Sequence, residues 1–186
     1  GARRRCSQTC LPCYGPGPGT LADMTLAVCP GSFDPIHNGH IEIIARAAKI
    51  FSEGVIVAVA HNPQKTFRLP LEERVAMVQE VFSWLDGITV EPMGAGLLAE
   101  FARSRGAGAV VKGLRDDRDY LYEAPMATMN RNLAGVETVF LAGDPKHGHL
   151  SSSLIMEVAS LGGDVSDYLP RSVHRHLLEQ GLLGHG

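Results

Sequence analysis

The chain lacks long apolar runs and has little excess charge. None of its apolar segments approaches the roughly 20 residues that a membrane-spanning helix needs, and no apolar segment of the signal-peptide type follows the basic start at residues 1–6. We therefore expect a cytoplasmic protein that does not bind membranes. The formal net charge of −3 over 186 residues gives no general affinity for nucleic acid, so any cationic site must be local.

Cysteine is also scarce, and three of the four cysteines lie close to the start of the chain. Cys6, Cys10 and Cys13 have a C-x3-C-x2-C spacing, which leaves an iron–sulfur cluster or a zinc ion open as alternatives. They precede residues 14–19, a proline- and glycine-rich segment that is typical of a flexible linker. We therefore predict that residues 1–23 are a flexible or non-native leader and that residues 24–186 form one domain.

The rest of the sequence alternates between strand and helix patterns. Residues 55–60 are a continuous apolar run, which is typical of a strand covered on both faces. The alternation predicts an α/β fold with a doubly wound parallel sheet in a single domain. The predicted strands are residues 26–28, 55–60, 88–91, 109–112 and 138–142, and the predicted helices are residues 41–51, 71–85, 97–105, 120–133, 151–160 and 170–180.

The first predicted strand leads through a polar turn, residues 29–40, into a helix, an arrangement that binds anions. Free backbone N–H groups and the positive end of the helix would face the anion, and His40 in the first helical turn could donate to it as well. The turn matches neither G-x-G-x-x-G nor G-x-x-x-x-G-K-[ST]. Ser32 lacks the G-x-S-x-G setting of a nucleophile, so a hydrogen bond to a ligand phosphate is the better interpretation.

Three other side chains of this turn have competing structural interpretations. Asp34 could stabilise the turn as readily as it could take part in chemistry. His37 and His40 lie three residues apart and could share a metal ion, but no carboxylate or cysteine at a matching spacing completes a ligand set. Cys29 is interpreted as a small buried hydrophobic residue.

Ligands of doubly wound sheets bind beyond the carboxyl ends of the strands. Lys112 ends an apolar strand, where a charged side chain is rarely found without a partner or a function. Arg115, three residues later, provides a second cation. The case for Lys65 rests on the strand-end rule alone, because a lysine in such a loop is usually an ordinary surface residue. The three serines at 151–153 combine capping hydroxyls with successive N–H groups that suit an anion. The rule gathers residues 31–40, 62–65, 112–115 and 147–153 into one predicted crevice, in which several phosphates would be neutralised.

The segments Gly31-Ser32-Phe33-Asp34-Pro35 and His37-Asn38-Gly39-His40 resemble a known group of enzymes. They are similar to the nucleotidyltransferases with the H/T-x-G-H signature, and more narrowly to the phosphopantetheine adenylyltransferase family. The resemblance covers about residues 26–180 without a large gap. Further supporting stretches are residues 71–74, 111–115, 119–123, 129–131, 150–153, 163–165 and 169–170.

The resemblance implies a Rossmann-like nucleotidyltransferase fold and the transfer of the adenylyl group of ATP to 4′-phosphopantetheine, giving dephospho-coenzyme A and pyrophosphate. It also implies Mg²⁺ as cofactor, a homohexamer built as a dimer of trimers, and His40 as the catalytic residue at the α-phosphorus. Phosphopantetheine would be held by Ser32, Lys65, Leu98 and Lys112. ATP would be held by Ser32, Phe33, His40, Gly113, Leu114, Arg115, Glu123, His147, Gly148, His149, Leu150, Ser151, Ser152 and Ser153.

Three positions depart from the family pattern. Lys112 stands where many members have arginine, His37 stands where threonine is common, and Pro125 lies in a helix that is usually regular. Two alternatives stay open on the sequence alone. One is a nucleotidyltransferase with another acceptor, such as nicotinamide mononucleotide or glycerol phosphate, and the other is a non-catalytic nucleotide-binding sensor.

Overall fold

In the computed structural model, which describes residues 25–183, a five-stranded parallel sheet carries helices on both faces. The strands are β1 (Leu26–Gly31), β2 (Gly54–Ala60), β3 (Ile88–Met93), β4 (Ala109–Leu114) and β5 (Glu137–Ala142). The helices are α1 (Asn38–Ile50), α2 (Leu71–Phe82), α3 (Leu98–Ser104), α4 (Asp117–Ala134), α5 (Ser152–Ser160) and α6 (Arg171–Glu179). The predicted fold class is confirmed, whereas the predicted leader with its three cysteines lies outside the described residues.

The strand order, β3-β2-β1-β4-β5, places the first strand at the centre of the sheet. From β1 the chain winds outwards to β2 and β3, and it then returns to the other side of β1 with β4 and β5. Val28 pairs with Val110 across the β1–β4 boundary. A reversal of this kind opens a crevice at the carboxyl ends of the two strands, which is where ligands of such sheets bind.

The core consists of one apolar layer on each face of the sheet. Alternate side chains of β1 point to opposite faces, so Ala27 and Cys29 lie in the larger layer and Val28 lies in the smaller one. The larger layer contains the buried faces of α1, α2, α5 and α6, and the smaller one contains that of α3. No helix among the described residues has the length and hydropathy needed to cross a membrane.

Two helices begin three residues earlier than predicted, and in each case a capping side chain explains the difference. α1 begins at Asn38 because the ring of His37 accepts a hydrogen bond from the Gly39 N–H group. α4 begins at Asp117 because the carboxylate of Asp116 accepts from the Asp119 N–H group. α4 also continues through Pro125 and ends at Gly135, which adopts a left-handed conformation with φ of 68°.

Candidate active site

A cleft of about 560 Å³ opens where the carboxyl ends of β1 and β4 meet. Its walls come from the turn between β1 and α1, the end of β4, the first turns of α4 and the start of α5. Segments that the strand-end rule gathered therefore lie around one cleft. The predicted binding residues that line this cleft are Ser32, Phe33, His40, Lys65, Lys112, Gly113, Leu114, Arg115, Glu123, His147, Leu150, Ser151, Ser152 and Ser153.

Three residues predicted to bind substrates are not among those that line the cleft. Leu98 begins α3 and packs against the smaller apolar layer. Gly148 follows the short 3₁₀ turn at Pro145–His147, and the ring of His149 lies edge-on to Tyr168, with ring centroids 5.7 Å apart. To bind a substrate, these three residues would have to contact a part of it that extends outside this cleft.

The start of α1 is built from two stacked histidines. The rings of His37 and His40 lie nearly parallel, with centroids 3.7 Å apart. Nδ1 of His37 accepts from the Gly39 N–H group at 3.2 Å, and Nδ1 of His40 accepts from the His37 N–H group at 3.2 Å. His37 is 5% exposed. The structure therefore gives His37 a capping and packing role, which the sequence did not indicate.

These hydrogen bonds fix the tautomer of His40. Because its Nδ1 accepts, the hydrogen of the neutral ring is on Nε2, which is then free to donate to a ligand. Desolvation, with a smaller contribution from the positive charge of Arg115, lowers the pKa of His40 to about 4. Desolvation, with smaller contributions from the nearby His40, Arg115 and His147, lowers the pKa of His37 to about 2. Both rings are neutral near pH 7.

The two helix starts that border the cleft differ in how many N–H groups they leave free. At α1, the N–H groups of Gly39 and His40 are already bonded, to the ring and to the carbonyl of His37. At α5, none of the described residues accepts from the N–H groups of Ser152 and Ser153. The expectation of free amides at α1 was therefore largely wrong, and the start of α5 is the better anion-binding terminus.

Phe33 lies in the turn after β1 and contacts the ring of His40. Its φ of 48° is unusual for a residue other than glycine, and its side chain is 3% exposed. The ring meets that of His40 edge-on, with centroids 5.1 Å apart. A Cβ atom on Gly31 would lie 2.7 Å from the Phe33 ring, so the absence of a side chain at Gly31 allows this packing.

Arg115 connects the two walls of the cleft. Its Nη1 donates to the carbonyl oxygen of Leu150 at 2.9 Å, which joins the end of β4 to the segment before α5. Its Nε and Nη2 donate to the two carboxylate oxygens of Asp119, each at 2.9 Å. This hydrogen-bonded pairing raises the pKa of Arg115 and lowers that of Asp119. Arg115 is thus held in one orientation by protein groups alone.

Lys112 is paired with Glu123 in the floor of the cleft. Lys112 Nζ lies 3.1 Å from Glu123 Oε1, and both side chains are largely shielded from solvent. The family resemblance assigns these two residues to different substrates. Nearby Cys29 is 4% exposed, and burial raises the pKa of its thiol to about 12, which is consistent with the buried apolar role expected for it.

The carboxylates that line the cleft do not form a metal site. Asp119 pairs with Arg115, Glu123 with Lys112, Asp144 with Lys146, and Glu42 with Arg46. Within residues 25–183, no group of three or more potential ligands is close enough together to hold a metal ion. The residues present therefore do not fit a metal held by the protein alone.

The comparisons with known proteins agree with this geometry. The model of the cytidylyltransferase-like family matches residues 28–158. A phosphopantetheine adenylyltransferase of Arthrobacter sp. (strain FB24) is 63% identical over 155 residues, covering 83% of this chain and 97% of the relative. The protein of the same name from Renibacterium salmoninarum is 62% identical over 156 residues, covering 84% and 97%.

The fold likeness extends to much more distant proteins. The structure of nicotinic acid mononucleotide adenylyltransferase from Plasmodium falciparum superposes with a TM-score of 0.63 at 11% identity, covering 84% of this chain and 96% of that chain. At this identity the likeness concerns the fold alone. The close relatives share about three fifths of their residues with this chain over nearly their whole length. The chain belongs to the phosphopantetheine adenylyltransferase family.

Proposed function

We propose that this protein transfers the adenylyl group of ATP to 4′-phosphopantetheine, giving dephospho-coenzyme A and pyrophosphate in coenzyme A synthesis. The observation that carries the proposal is one cleft in which a histidine donor, two cations and a helix start with free N–H groups converge. The identity to relatives named for this activity supports the choice of acceptor.

The acceptor needs no strong general base, because its phosphate is ionised at neutral pH. A phosphate oxygen attacks the α-phosphorus of ATP, and the bond to the bridging oxygen breaks as pyrophosphate leaves with the electron pair. Catalysis then rests on alignment and on stabilisation of the developing charge. We assign the α-phosphate to His40, whose neutral ring donates from Nε2, and both substrates to Ser32.

The other assignments are those that the family resemblance implies. We propose that Lys65 and Lys112, with Leu98, bind phosphopantetheine. We propose that ATP is bound by Phe33, residues 113–115, Glu123 and residues 147–153. Mg²⁺ is proposed only as part of the substrate, because Mg²⁺ commonly keeps its waters and binds through substrate phosphates, and residues 25–183 contain no ligand set for it.

A pyrophosphate-release assay tests the function. With ATP, the wild-type protein is expected to release pyrophosphate with 4′-phosphopantetheine but not with nicotinamide mononucleotide or glycerol phosphate. His40→Ala should lower kcat by about 10²–10³-fold, the usual cost of one such donor, while His174→Ala on α6 serves as the matched control. No release with any acceptor, despite ATP binding, would favour a sensor, and near-native kcat in His40→Ala would refute the assigned role.

We also propose self-association into the homohexamer that the resemblance implies, and a cytoplasmic location. The support for association is on α4, where Leu121 and Tyr122 are 70% and 82% exposed and Met126, Met129 and Leu133 are at least half exposed. An apolar surface of this kind is typical of an interface. Sedimentation equilibrium should give six chains per particle, and a monomer at micromolar concentration would contradict the proposal.

A further inference from the structure

Arg74 is a fully buried cation that none of the roles above uses. It lies in the first turn of α2 and is 0% exposed. None of the described carboxylates lies within ion-pair distance of it. Desolvation lowers its pKa, against the opposing effect of Asp34 and Glu72. Because burying a charge is costly, the contacts that Arg74 makes require an explanation.

The guanidinium group is solvated by backbone carbonyls instead of by an acid. Nη1 donates to the carbonyl oxygens of Ser32 at 2.6 Å and Ala60 at 2.9 Å. Nε donates to the carbonyl oxygen of Leu69 at 3.2 Å. The plane of the group lies over the ring of Phe67, with Cζ 4.1 Å from the ring centroid.

These contacts join the two segments that carry the proposed acceptor-binding residues. Ser32 belongs to the turn after β1, and Ala60 ends β2. The loop from β2 to α2 contains Lys65, and Leu69 lies at its far end. One guanidinium group therefore fixes both ends of the Lys65 loop against the carbonyl of Ser32.

Asp34 joins the same two segments through its carboxylate. Its Oδ2 accepts from the Arg68 N–H group at 2.8 Å, and its Oδ1 accepts from the Leu69 N–H group at 3.0 Å. Asp34 is 7% exposed. Asp34 therefore has a structural role, because its carboxylate holds the Lys65 loop to the turn that bears Ser32.

We infer that Arg74 is a positioning residue that sets the separation between Ser32 and Lys65, and hence between the reacting ends of the two substrates. The inference rests on the proposed function. A planar guanidinium group can donate to three carbonyls in different directions while stacking on Phe67, whereas an ammonium group cannot. A displacement of about 1 Å in such alignment can cost about 100-fold in rate.

The test compares Arg74→Lys, which keeps the charge, with Arg175→Lys as a control at an exposed arginine paired with Glu80. In Arg74→Lys we expect kcat to fall about 10–100-fold and the KM for phosphopantetheine to rise about tenfold. The Kd for ATP, measured by calorimetry, should change less than about threefold, because Ser32 is the single proposed ATP-binding residue that Arg74 bonds, and the other proposed ATP contacts lie mainly at the end of β4 and the start of α5. A lower melting temperature with kcat and KM within twofold of wild type would overturn the inference.

Coupling to Lys65 separates positioning from a general loss of stability. If Arg74 acts through the Lys65 loop, Arg74→Lys should raise the KM for phosphopantetheine less than about twofold in a Lys65→Ala background. Full additivity of the two effects on KM would overturn the inference.

A second variant keeps the inference testable if Arg74→Lys does not fold. Asp34→Asn removes one of the two carboxylate acceptors and retains Arg74. It should raise the KM for phosphopantetheine about three- to tenfold, and unchanged KM and kcat would overturn the inference. If the wild-type protein itself releases no pyrophosphate from ATP and phosphopantetheine, the proposed function fails and this inference fails with it. If the wild-type protein is active and the Arg74 and Asp34 variants show the expected changes in kcat and KM, the inference is supported.

Discussion

Replacement of His37 by alanine removes two contacts at the start of α1. The first is the capping bond to the Gly39 N–H group, and a lost cap typically costs about 1 kcal/mol. The second is the stacking of the ring on His40, which contributes roughly 0.5–1.5 kcal/mol. We therefore expect His37→Ala to lower the free energy of unfolding by about 2 kcal/mol.

The variant His37→Thr separates the two contributions. A threonine hydroxyl can accept from the same N–H group, so this variant should lose only the stacking, and its cost should be about half that of alanine. For a chain of this size, each 1 kcal/mol corresponds to roughly 2–4 °C in melting temperature. Thermal unfolding followed by circular dichroism, at one fixed protein concentration, should therefore show shifts of about 4–8 °C for alanine and half of that for threonine.

Two results would refute this reasoning. Equal shifts in the alanine and threonine variants would mean that the cap contributes nothing. No shift in His37→Ala would mean that neither contact stabilises α1. His174→Ala, a histidine substitution on α6, provides the baseline for a change remote from the cleft.

Two further predictions concern charge. Since the folded protein holds His37 and His40 neutral down to about pH 4, the unfolded chain binds more protons below about pH 6.5. In urea unfolding, the free energy of unfolding should therefore fall as the pH is lowered from about 6.5 to 4, by at most about 1.4 kcal/mol per pH unit for each histidine. If the His40→Asn variant loses as much stability over this range as the wild type, this prediction is wrong. Glu123→Gln releases Lys112 from its ion pair, so the KM for phosphopantetheine should fall about two- to fivefold. Glu53→Gln is the matched control, and an unchanged KM would contradict the pairing argument.

The fold and the outline of the cleft could be predicted because they depend on patterns that are visible in the linear sequence. The apolar run of β2 indicated a sheet covered on both faces, and the strand-end rule then placed Lys112 and Arg115 beside the turn after β1. Helix boundaries were less accurate, because the caps of α1 and α4 depend on the orientation of single side chains. Contacts such as Arg115 with Leu150 join residues 35 positions apart, and no local pattern indicates them.

Arg74 was missed as a functional candidate for a physical reason. A charged residue in the first turn of a helix is usually solvated, so the sequence indicated nothing unusual. A signal was nevertheless present. Arg74 shares the apolar face of α2 with Met77, Val78 and Val81, at spacings of three, four and seven residues. A cation on such a face is carried into the core with its apolar neighbours, and it then needs hydrogen-bond acceptors there.

The wall of the cleft formed by α5 has a consequence for the order of synthesis. Ser152 Oγ donates to the carbonyl oxygen of Pro35 at 2.8 Å, across 117 positions of the chain, and Asn38 Nδ2 donates to that of Asp167 at 3.0 Å, across 129 positions. All five strands are complete at Ala142. During translation the five strands are therefore synthesised before the wall of the cleft that α5 forms. Because closing such long loops costs conformational entropy, we expect the cleft to be completed after the sheet has formed.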